Sequence, residues 1–185
     1  MKKYLCFIIL MICLPAISNA QKIAFSTNFV DWANFLTYNG EIGIAVSRHF
    51  SIVAGGRYNN RQYEGENHVI VQNCQKTFYA GAKYWLWYSN TGTWVSAKAQ
   101  YKESAQSGIW RLALSERKNV GIVLSGGYSI LLSKHLNVDF GLGFWAGKSM
   151  EYTLYDCPVC LNVRDSGPRF FLLPDNLSIT FAIVL

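Results

Sequence analysis

Few residues in this 185-residue chain could carry chemistry, and they are scattered. Cys157 and Cys160 form a Cys-Pro-Val-Cys segment, with Cys74 alone far upstream. A pair that close suggests a disulfide, a redox couple or half of a metal site. A redox couple needs a cysteine opening a helix in an α/β setting, and no such pattern surrounds this one. Zinc would need these three thiols and His68, gathered from separate segments. The expectation is a Cys157–Cys160 disulfide with Cys74 as the odd thiol, and neither a metal nor a cofactor.

Hydrolytic chemistry would require a nucleophile, a base and an acidic partner. His68, beside Glu64, Glu66 and Asn67, is the one histidine placed for such a role. His49 and His135 fall in short polar turns and read as solvated. The chain has no GxSxG, no HExxH and no phosphate-binding glycine loop. No catalytic residue is assigned, and the chain is expected not to be an enzyme.

The remaining chemistry is electrostatic: Glu41, Arg57, Lys83, Lys98 and Asp139. Their meaning depends on the elements that carry them. Lys2 and Lys3, the apolar run Leu5–Leu14, Pro15 and the small residues before Gln21 read as a secretion signal over 1–20. It is expected to be cleaved after Ala20, leaving one domain over 21–185. Hydrophobic residues make up 51% and aromatics 15% of the chain. Yet beyond the leader no apolar run approaches the roughly 20 residues a membrane helix needs. Strands, which hide apolarity in alternation, are not excluded. The net charge of +6 includes Lys2 and Lys3 of the leader. Without a block of like charge, nucleic-acid binding is not expected.

Period-two alternation places eight strands near 22–31, 40–47, 50–59, 77–88, 93–102, 119–132, 136–148 and 176–185. Every proline lies outside them, as strand interiors require. Short turns at Ser47–His49, Ser89–Gly92 and Ser133–His135 alternate with longer polar connections, and VSRHFSIVAGG reads against LLSKHLNVDFG. This pattern predicts an all-β, eight-stranded antiparallel up-and-down transmembrane barrel of outer-membrane type, with long loops outside the cell. Phe140, Leu142 and Phe144 share one face, opposite Asn137, Asp139, Gly141 and Gly143. The greasy face is expected toward lipid and the small, polar one toward a narrow lumen. The five charges fall on the lumen parity. They read as a salt-bridged plug, with a proton or ion path as the rival. Tyr84, Trp85, Trp87, Tyr88 and Trp94 read as an interfacial aromatic girdle.

The segments KIAFSTNFVDWANF, SRHFSIVAGGRY, YAGAKYWLW, GYSILLSKHLNVDFGLGF and CPVC resemble a Bacteroides-type family of small outer-membrane barrels of unknown function. Genes of that family often accompany fimbrillin and surface-adhesin clusters. The resemblance implies a surface barrel without catalytic residues to carry over, and a fimbrial or adhesin partner beside outer-membrane lipid. Leu185 stands where outer-membrane barrels usually end on an aromatic. The leading expectation is a non-enzymatic barrel of a Gram-negative outer membrane that presents extracellular loops. The alternatives are a lipid-modifying enzyme and a small-solute pore, and no small-molecule substrate is assigned.

Overall fold

The computed structural model describes residues 23–64, 70–107, 114–156 and 162–185. Its elements are β1 (Ile23–Asn28), α1 (Phe29–Ala33), β2 (Tyr38–Ala45), β3 (Phe50–Glu64), β4 (Ile70–Trp85), β5 (Gly92–Ser107), β6 (Ser115–Ser133), β7 (Leu136–Tyr155), β8 (Val163–Ser166) and β9 (Arg169–Val184). Consecutive strands pair antiparallel from β1 to β7. β9 pairs with β7 on one side and β1 on the other, closing an eight-stranded up-and-down barrel. β8 adds no stave. It continues the line of β9 along the far end of β7, past a break at Gly167 (φ 133°) that suits only glycine.

The alternation read from the sequence is the alternation of the wall. Phe140, Leu142 and Phe144 are 45%, 56% and 56% exposed, while Asn137 and Asp139, of the opposite parity, are buried. Val95 faces out and Ser96 and Gln100 face in. Among the described residues, buried polar side chains outnumber buried apolar ones. The protein is thus inverted relative to a water-soluble globule.

The two similar turns owe their resemblance to one fastening used twice. Ser47 Oγ accepts from the N–H of His49 and of Phe50 (3.4 and 3.2 Å), and Ser133 Oγ accepts from the N–H of His135 (3.4 Å). His49 Nδ1 donates to Trp85 O, and His135 Nδ1 to Val184 O, each at 3.0 Å. A carbonyl only accepts, so both rings carry their proton on Nδ1. The same strand ends answer through their backbone: Trp85 N–H to His49 O (2.8 Å) and Val184 N–H to His135 O (2.9 Å). These histidines are staples between neighbouring staves rather than solvated decoration.

Three departures from the sequence reading have physical causes. The first strand ends at Asn28, whose side chain accepts from Val30 N–H and caps α1, so 29–31 is helical. β3 to β7 run well past their expected upper ends: β3 stays paired with β4 up to Glu64 and Ile70. The sequence along these ends is mostly polar, so alternation fades while the hydrogen-bonded ladder continues, and much of the expected loop is wall. Pro174 lies inside β9, at the register shift where Phe144 pairs with it. A bulge leaves proline's missing donor without a partner to disappoint.

Candidate functional site

The interior of the barrel gathers all five charges singled out from the sequence. Lys83 Nζ lies 2.7 Å from Asp139 Oδ2, bringing β4 across to β7. Lys98 Nζ of β5 lies 2.5 Å from Glu41 Oε2 of β2. Arg57 of β3 pairs at 2.9 Å with Asp31 of α1, a residue the sequence reading did not single out. The helical turn after Asn28 brings it to the interior. The spacing Asn28-x-x-Asp31 resembles a capping box and was the available signal, since Asn28 Nδ2 donates to Asp31 Oδ2 at 3.1 Å.

Aromatic rings hold the cations in place. Lys83 Nζ sits 4.4 Å from the Trp85 ring centroid and 4.1 Å from that of Trp94. Both tryptophans are buried inside, at 2% and 5% exposure. They are therefore not part of an outer girdle, whereas Tyr84, Trp87 and Tyr88 are exposed. The parity signal was available: Trp85 shares a face with Lys83, and Trp94 with Ser96 and Lys98. Trp85 Nε1 donates to Ser51 Oγ at 3.0 Å. The Tyr79 ring receives Lys98 at 4.8 Å and Arg57 at 5.7 Å.

Glycines make room for these rings. A Cβ on Gly141 would stand 2.8 Å from Trp94 ring atoms and 2.7 Å from Ser178 Oγ, and one on Gly55 would stand 2.6 Å from the Tyr79 hydroxyl. Gly141→Ala should therefore cost about 1–3 kcal/mol through overpacking. Gly40→Ala, where a Cβ meets nothing within 4 Å, should leave stability unchanged. Urea midpoints of the two variants check this, and equal midpoints would remove the Trp94–Gly141 fit from the account.

The space left between the ion pairs is small. One void of about 50 Å³ is lined by Glu41, Arg57, Tyr79, Lys83, Lys98 and Asp139, and another of about 20 Å³ lies by Trp85 and Asn137. The first has room for a few waters and the second for one. Each cation faces a carboxylate, and the arrangement offers electrostatic closure.

Other candidates lie elsewhere. The Cys74 thiol is free and faces outward, donating to Asn60 Oδ1 at 3.1 Å. Cys157, Cys160 and His68 lie outside the described residues. Among the described residues no three His, Cys, Asp or Glu side chains group as metal ligands.

A known family, described as "Protein of unknown function (DUF3575)", matches residues 5–185. No curated protein matches the chain, and no solved structure matches it.

Proposed function

Since the chain belongs to this family of proteins of unknown function, its own geometry must supply the reading, and we propose a non-enzymatic outer-membrane barrel that displays its upper end at the cell surface. Residues 1–20 are removed in this reading and 21–185 form the barrel. One observation carries it: an apolar outer wall encloses an interior of paired charges. Phe78, Ile122, Leu124, Leu142 and Leu177 each present more than half of their surface outward, which is costly in water and favourable in lipid.

Strand length supports surface display. β5, β6 and β7 have 16, 19 and 20 residues, whereas crossing a bilayer takes about 9–11 tilted strand residues. The surplus rises beyond the apolar band, with Asn60, Gln62, Lys76, Glu103, Glu116 and Lys118 on its outer face. The upper ends of β3 to β7 then face outside; the expected Cys157–Cys160 disulfide, which lies outside the described residues, would persist on that oxidising side. The three lumen ion pairs favour a plug over a pore. Support of fimbria or adhesin display is the finer role, and it rests on the family resemblance.

The mature chain should fractionate with outer membranes and migrate faster on gels unboiled than boiled. In planar bilayers it should give no steady conductance. Recovery as a soluble periplasmic protein would sink the barrel reading, and stable single-channel steps would replace the plug with a pore. Mass spectrometry of partners cross-linked on intact cells tests the adhesin role.

A further inference from the structure

Just above the middle of the outer wall, β2, β3 and β4 form a groove whose floor is glycine and whose walls are aromatic. Gly40 and Gly56 pair in register on the floor. Tyr38, Tyr58 and Phe78 rise around them, with Lys76 at the upper rim, and the groove measures about 530 Å³. That is within the size range of pockets that hold small ligands.

The walls are fixed in advance. Trp32 of α1 meets Tyr38 edge to face at 5.6 Å, and its Nε1 donates to Thr27 Oγ1 at 2.8 Å. A rigid wall lowers the ordering cost of binding. The floor is open: a Cβ on Gly40 would meet nothing within 4 Å.

Arg57 beside the floor is paired with Asp31, and the remaining charge of the lining, Lys76, is at the upper end. Among the described residues Lys76 has neither a hydrogen-bond nor an ion-pair partner. Its cross-strand neighbour Glu103 instead accepts from the Tyr101 hydroxyl at 2.7 Å. Arg61 lies outside the groove's lining but near it, donating to the Tyr63 hydroxyl at 3.2 Å and within hydrogen-bond reach of the Tyr38 hydroxyl, whose ring lines the groove. Below the groove the outward residues are Ile42, Ile52, Ala54, Ala80 and Ala82. An apolar trough with cations at its upper end matches an amphiphile with an anionic head and a hydrocarbon tail.

We propose that this groove seats one acyl chain of an anionic membrane lipid, with the headgroup phosphate on Lys76 and Arg61. The proposal rests on the outer-membrane reading above. It makes the lipid a specific ligand of β2–β4 rather than part of a uniform annulus.

The test uses the mature barrel inserted into phosphatidylcholine vesicles containing phosphatidylglycerol, followed by native mass spectrometry of the released protein. The wild type should retain one phosphatidylglycerol in preference to phosphatidylcholine. Lys76→Gln should lower that retention about tenfold, as losing one charge-assisted contact does, and Lys76→Arg should restore it. Gly40→Leu, whose Cβ meets nothing within 4 Å and whose longer side chain occupies the floor, should abolish retention while the variant still shows a heat-dependent gel shift. Equal retention of both lipids, retention unchanged in Gly40→Leu, or a dimer mass in place of the lipid adduct would overturn the proposal. In those cases the barrel has inserted and the membrane reading stands. Failure of the wild type to insert overturns both.

Discussion

Asp139→Ala is expected to destabilise the barrel by about 3–5 kcal/mol, the usual cost of stranding one member of a buried ion pair. The ammonium of Lys83 would remain between the Trp85 and Trp94 rings with no carboxylate at 2.7 Å to balance it. Ring faces attract a cation but do not neutralise it. Replacing both members, as Lys83→Met with Asp139→Leu, should recover most of the loss, because an apolar pair of similar volume often matches a buried salt bridge. The measurement is the urea midpoint of micelle-bound protein followed by tryptophan fluorescence. A single variant as stable as the wild type would show that the pair contributes nothing to closing the lumen. A double variant that opens the barrel to ions while remaining folded would show instead that the charges act as a gate.

Phe140→Arg should carry the second-largest penalty, about 2–4 kcal/mol, as a guanidinium placed on the lipid side near the middle of the apolar band. Phe140 pairs with Tyr128 of β6 and Ile179 of β9, both on outward parity. The ring is 45% exposed, so the loss would come from the surroundings rather than from internal packing. Thr153→Arg, on the part of β7 that rises beyond the band, should cost almost nothing. Refolding yield into vesicles, read from the heat-dependent gel shift, separates the two. If both variants insert equally well, the outer wall is not lipid-facing.

The same contrast explains what was legible from residues alone. Where one face is greasy and the other polar, parity assigns each side chain a direction. Glu41, Arg57, Lys83, Lys98 and Asp139 all turned inward for that reason. Legibility failed where a second signal competed with parity. Trp85 and Trp94 share the inward parity of Lys83 and Lys98, but residue type suggested an interfacial belt. Asp31 was missed because a helical turn replaced the strand period after Asn28. The upper ends of β3 to β7 were missed because a wall mostly polar on both sides has little period to detect. Pro174 was read as excluding a strand, although a bulge admits it. The two-histidine repeat was visible as similarity, but its cause, a cross-stave hydrogen bond, is a tertiary fact.

The closing seam has a mechanical consequence. β1 and β9 share five paired positions, from Ala24–Val184 to Asn28–Thr180, whereas β3 and β4 share an unbroken register from Phe50–Tyr84 to Glu64–Ile70. Above that short zip, Asn28 Oδ1 accepts from Ile179 N–H at 3.1 Å and acts as its end stop. Because the seam joins the two ends of the chain, it also closes the largest loop in sequence, the costliest contact to form early. The staves from β3 to β7 are therefore expected to form first as a curled ribbon, with the seam latching last. Pulled or heated, the ribbon should unlatch along the same line, with the amides of β1 exchanging hydrogen well before those of β4 to β7.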